Sequence, residues 1–68
     1  MNEEMLNASV RKFLKLVGVT SQREIEKAVR DAAARGLLKP DQVLPATASI
    51  HVAGIDLKIQ VGGDIEVG

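Results

Sequence analysis

The stretch Ala46-Thr47-Ala48-Ser49-Ile50-His51-Val52-Ala53-Gly54-Ile55-Asp56-Leu57-Lys58-Ile59-Gln60-Val61 alternates apolar and polar residues on both sides of Ala53-Gly54. Alternation of this kind marks half-buried strands, and a glycine-containing break between two such runs marks a hairpin. If Ala53-Gly54 is a two-residue loop, Val52 faces Ile55, Ile50 faces Leu57, Ala48 faces Ile59 and Ala46 faces Val61. One face is then apolar throughout. The other face pairs His51 with Asp56, Ser49 with Lys58 and Thr47 with Gln60. Ala53 fits such a turn poorly, because the turn needs positive φ, which alanine resists. The alternation resumes at Ile65 and Val67. A loop over Gly62 to Asp64 brings Val61 opposite Ile65 and predicts a third strand after a longer loop or bulge. Strands are therefore expected over about 46–52, 55–61 and 64–67.

Upstream of the segment from Pro40 to Pro45 the period is helical. Leu6, Val10, Phe13, Leu14 and Val17 recur at spacings of three and four, which predicts a helix over about 3–17. Met5 flanks that stripe. Glu3 and Glu4 at its start, with Lys12 and Lys15 near its end, suit the helix dipole. Gly18 reads as the residue on which this helix ends. Ser21-Gln22-Arg23-Glu24 reads as a capping box opening a second helix over about 22–35. Its apolar side is Ile25, Ala28, Val29, Ala32 and Ala33, and Gly36 ends it, with Leu37 folding back over the last turn. Glu26 with Arg30, and Asp31 with Arg35, form acid-before-base pairs four residues apart. The linker is 37–45, where Lys39-Pro40-Asp41-Gln42 predicts a turn. The expected architecture is a single α+β domain over residues 1–68, of order ααβββ. In it a two-helix hairpin precedes a three-stranded antiparallel meander, and the helices pack on one sheet face.

Composition narrows the functions available. The chain has 68 residues, 46% of them hydrophobic, which is enough for a core but leaves a small domain. With no cysteine it has no disulfide and no thiolate metal site, and its one histidine cannot anchor a zinc site without carboxylate help. Association with another chain is the stabilising device that remains. Nine basic and nine acidic residues cancel, which argues against a dedicated nucleic-acid or membrane-surface binder. The start, Met1-Asn2-Glu3-Glu4, has neither a basic nor an apolar signal region, and no run approaches the length of a membrane span. The expected location is cytoplasmic.

Few residues suggest chemistry. His51 invites a general-base reading with Asp56 as its orienting carboxylate. The simpler reading is a cross-strand polar pair on a solvated face, because no nucleophile or pocket accompanies it. Asp41, Asp56, Asp64 and Glu66 are scattered singly, and Gly62-Gly63-Asp64 has too few ligands for calcium and precedes no helix. No catalytic, cofactor-binding or metal residue is therefore assigned, and no cofactor is expected. Arg11, Lys12, Lys15, Arg23, Lys27, Arg30 and Arg35 form a potential basic surface. Arg23, Lys27 and Arg30 are the contacts to expect if helix 22–35 served as a recognition helix. Glu24, Glu26 and Asp31 interrupt that surface, and no aromatic residue is free to stack on bases. The first strand is the stronger candidate. Thr47, Ser49, Ile50, His51 and Val52 would form an edge without Lys, Glu, Asp or Pro, and such an edge is a template for another strand.

Arg11-Lys12-Phe13-Leu14-Lys15, followed by Val17-Gly18-Val19-Thr20-Ser21-Gln22-Arg23-Glu24-Ile25-Glu26-Lys27-Ala28-Val29, resembles a family of short uncharacterised bacterial proteins, a domain of unknown function. The resemblance extends over nearly the whole chain. The first hairpin turn of that family is often Asp-Gly, where this chain has Ala53-Gly54. The resemblance implies a small bacterial protein and supplies no activity, cofactor or site. The residues themselves point to a small non-catalytic protein–protein interaction or assembly domain, homodimeric or pairing with a protein partner through the edge 47–52. The alternative is a nucleic-acid-binding regulator using the helix-turn-helix segment. A weaker alternative is a small-ligand binder or enzyme.

Overall fold

A computed structural model describes residues 1–68. It divides the chain into two units, Met1–Leu37 and Leu38–Gly68. The first unit is one α-helix, α1, Glu3–Ala34, and the second is an antiparallel hairpin of β1, Val43–Val52, and β2, Leu57–Glu66. The class is α+β as expected, but the order is αββ rather than ααβββ: one helix replaces the helical hairpin, and two strands replace the meander. The two-helix layer expected on the sheet face therefore does not exist.

The start of α1 follows from Asn2. This residue has extended backbone angles, its side-chain oxygen accepts the Met5 N–H at 3.0 Å, and its carbonyl accepts the Leu6 N–H at 3.0 Å. Glu3 and Glu4 occupy the first turn, where the dipole favours acids. At the other end Gly36 adopts φ +72°, with Leu37 N–H bonded to the Ala32 carbonyl and Gly36 N–H to that of Ala33. This reciprocal pattern needs a left-handed residue, which glycine supplies without a side-chain clash. The expected surface pairs form: Arg30 lies 3.6 Å from Glu26 and Arg35 lies 3.8 Å from Asp31.

Helix α1 runs through Gly18, Val19, Thr20 and Ser21 without a break. Gly18 does not take positive φ, and Ser21 is an interior helical residue rather than a cap. The balance is energetic. An interior glycine costs about 1 kcal/mol against alanine, and forgoing the Ser21 cap costs a similar amount. A break would leave four N–H and four C=O groups to satisfy and would require two helix nuclei, each opening a segment of marginal length. A break is favoured only where two helices bury their stripes on each other, and no residue of the chain is buried.

The hairpin corrects two further expectations. Its loop is Ala53-Gly54-Ile55-Asp56, so Val52 pairs with Leu57, Ile50 with Ile59, Ala48 with Val61, Ala46 with Gly63 and Leu44 with Ile65. The register differs from the expected one by two residues, which preserves the alternation, and this face is apolar in every pair. The longer loop places positive φ on Gly54 (+92°) and Asp56 (+54°) instead of Ala53. Glycine and aspartate tolerate that region far better than alanine. Gly62 and Gly63 do not turn. They continue β2, and Gly62–Glu66 pair with Val43–Thr47, so the expected linker end becomes strand and the expected third strand is absent. Straight extension lets Gly62–Glu66 pair with Val43–Thr47 and carries the two-stranded ladder through ten residue pairs. Lys39-Pro40-Asp41-Gln42 forms the expected turn, with Gln42 N–H bonded to the Lys39 carbonyl at 3.2 Å and Lys39 N–H to Gln42 Oε1 at 2.9 Å.

Candidate functional site

The continuous helix carries one long apolar stripe. At 100° per residue, Leu6, Val10, Phe13, Leu14, Val17, Ile25, Ala28 and Ala32 share one side, interrupted by Glu3, Asn7, Ser21, Glu24 and Asp31. The large members are open: Leu6 is 44% exposed, Val10 46%, Phe13 47% and Leu14 47%. Leu6, Val17 and Ala28 are successively eleven residues apart, as are Val10, Ser21 and Ala32. Eleven residues make three turns of slightly more than 3.6 residues each, so the stripe keeps its phase across Gly18. That phase was the sequence signal for a single helix, since a turn has no reason to preserve it.

The hairpin carries the second apolar surface. Leu44, Ala48, Ile50, Val52, Leu57, Ile59, Val61 and Ile65 lie on one face, and none of them is buried. Thr47, Ser49 and His51 lie on the other face, opposite Gly62, Gln60 and Lys58. The expected site residues of the first strand are thus split: Ile50 and Val52 belong to the apolar face, and Thr47, Ser49 and His51 to the polar one. The polar face corrects the reading of His51. Its cross-strand neighbour is Lys58, not Asp56, which sits in the loop. An ammonium group cannot accept an imidazole N–H, so the carboxylate that would orient a general base is not opposite His51. Both strands are edges of a two-stranded sheet. The free edge of β1 has only Pro45 as a deterrent, whereas β2 carries Lys58, Asp64 and Glu66.

Arg23, Lys27 and Arg30 share one side of α1, away from the apolar stripe, and helix continuity adds Lys12 about five turns before Arg30. Arg30 is engaged by Glu26, whose other carboxylate oxygen accepts from Gln22 Nε2 at 3.0 Å. Because α1 is unbroken, the two-helix unit in which helix 22–35 would act as a recognition helix does not form. No group of three or more His, Asp or Glu side chains gathers as a metal site, and no helix is long and apolar enough to cross a membrane.

No residue is buried, and sixteen large hydrophobic residues are exposed.

No curated protein and no solved structure matches the chain. One family model, described as a family of unknown function (DUF6494), matches residues 1–68. The chain belongs to that family of unknown function over its whole length.

Proposed function

We propose that the chain is a small non-catalytic assembly domain that acts as a homodimer, its apolar surfaces covered by protein. The observation that supports the reading is burial: no residue is buried, and sixteen large hydrophobic residues remain exposed. A helical segment of fewer than about 40 residues rarely folds without a disulfide, a metal or association, and an isolated two-stranded hairpin is marginal in water. The chain has no cysteine, which leaves association as the source of stability. A bacterial cytoplasm is the proposed setting, with which the absence of cysteine is compatible.

Concentration dependence tests the reading. If association stabilises the fold, the thermal midpoint followed by far-UV circular dichroism rises with protein concentration. A midpoint that stays constant over a hundredfold dilution overturns it.

A further inference from the structure

We infer that the outer edge of β1 pairs with the same edge of a second copy, antiparallel about a two-fold axis at Ser49. This deepens the assembly reading and rests on it. Gln42 and Val67 continue the register of the hairpin, and the Val67 N–H donates to the Gln42 carbonyl at 3.3 Å. In an antiparallel ladder, residues that turn N–H and C=O toward the partner alternate with residues that turn them outward. The even-numbered residues of β1 therefore bond to β2, and Val43, Pro45, Thr47, Ser49 and His51 turn their backbone groups outward. Pro45 fits this parity, since its missing N–H costs the hairpin ladder no bond. Thr47, Ser49 and His51 are exposed, and none is Lys, Arg, Asp or Glu. On β2 the same parity turns Lys58, Gln60, Gly62, Asp64 and Glu66 outward, so charged side chains guard that edge.

The contrast between the two edges decides the occupant. A head-to-tail contact of β1 on another copy's β2 would use the charged edge and leave an open β1 for further growth. A contact of β1 on β1 is isologous and closes at two copies, with the charged β2 edges outermost. Pro45 then selects the register. Centring the pair on Ser49 sets Ser49 against the second copy's Ser49, Thr47 against its His51, Ala48 against its Ile50 and Ala46 against its Val52. This ladder stops short of Pro45, so every outward N–H within it meets a carbonyl. Centring it on Ala48 instead sets Pro45 against the second copy's His51, whose carbonyl loses its donor. In the Ser49 register small meets large on the apolar side, and no like charges oppose each other on the polar side. The resulting four-stranded sheet also takes the hairpin past the two-stranded limit of stability.

Single cysteines on the full chain test the register, because the chain has none of its own. Across the axis the two Ser49 Cα atoms lie about 5.5 Å apart, within the span of a disulfide. Thr47 and His51 each lie about 14 Å from their own counterparts, beyond that span. In a glutathione redox buffer Ser49→Cys forms the disulfide-linked dimer at least about tenfold faster than Thr47→Cys or His51→Cys. Combining Thr47→Cys with His51→Cys in one chain restores linking, since those positions face each other across the pair. All three positions lie on the polar face, and circular dichroism of each variant checks that the fold is retained. Equal linking at the three single positions, or faster linking at Thr47 or His51, overturns the inference. Ser49→Lys supplies a readout without a disulfide: it sets like charges against each other at the axis and raises the dimer dissociation constant from sedimentation about tenfold or more. An unchanged constant in a dimeric parent overturns the inference while leaving the assembly reading intact. A parent chain that is monomeric at every concentration overturns the assembly reading itself, and the inference with it.

Discussion

Gly18→Ala distinguishes one long helix from two short ones by the sign of its effect. In the structure Gly18 is helical, without positive φ, and a Cβ built there meets nothing within 4 Å. The added methyl therefore encounters no clash, and the substitution removes the backbone freedom that an interior glycine gives the unfolded chain. The gain is about 0.8–1.0 kcal/mol. If Gly18 instead ended a helix in the left-handed region, alanine would cost about 1–2 kcal/mol there. The two accounts thus differ by about 2–3 kcal/mol, well beyond the error of an unfolding curve. For a chain of this size 1 kcal/mol moves the thermal midpoint by roughly 4–8 °C. The assay is thermal and urea unfolding followed by far-UV circular dichroism, at one fixed protein concentration so that association does not shift the midpoint. A rise of several degrees with increased helical signal is expected. A fall would refute the reasoning and restore a turn at Gly18.

Other substitutions have equally definite outcomes. Gly36→Ala, which forces alanine to φ +72°, destabilises the chain by about 1–2 kcal/mol in the same unfolding assay. Asn2→Ala removes the bond to the Met5 N–H and costs about 1 kcal/mol, seen as fraying of the first turn by amide hydrogen exchange. His51→Ala, on the polar face opposite Lys58, stays within about 0.5 kcal/mol of the parent in urea unfolding. Ser49→Lys guards the open edge of β1 and lowers the sedimentation mass where that edge pairs two copies; an unchanged mass removes the edge as the interface.

Local signals along the chain were legible where one residue type answers one physical need. The Glu3–Glu4 start, the Gly36 end, the Glu26–Arg30 and Asp31–Arg35 pairs and the Lys39–Gln42 turn all depend on neighbours a few positions away. The apolar face of the hairpin was legible for a different reason. Alternation survives a two-residue register shift, so Ile50, Val52, Leu57, Ile59 and Val61 share a face in either register. What misled was punctuation whose meaning depends on burial. Gly18 with Ser21 and Glu24 ends and restarts a helix when two helices can bury their stripes, and is absorbed when they cannot. Gly62-Gly63 can turn a chain, and runs straight where Val43–Thr47 offers a partner. Ala53 carried a correct warning, since its resistance to positive φ moves the loop onto Gly54 and Asp56. The candidate surface was half legible. The edge residues Thr47, Ser49 and His51 and the apolar pair Ile50 and Val52 form one stretch of sequence but alternate between opposite faces. The helix stripe has the spacing of a core face, yet none of its residues is buried. Its phase runs unbroken from Leu6 to Ala32, as one continuous helix requires.

Sedimentation equilibrium of the freshly purified chain, recorded by refractive index and at 260 nm, tests the central claim most directly. With no Trp and no Tyr the protein contributes almost nothing in the near ultraviolet, so absorbing material that travels with it is bound. The account predicts a mass of about twice 7.3 kDa, dissociating on dilution, with no 260 nm signal in the boundary. A mass of 7.3 kDa at all concentrations, or a salt-sensitive 260 nm signal that co-sediments, would contradict it.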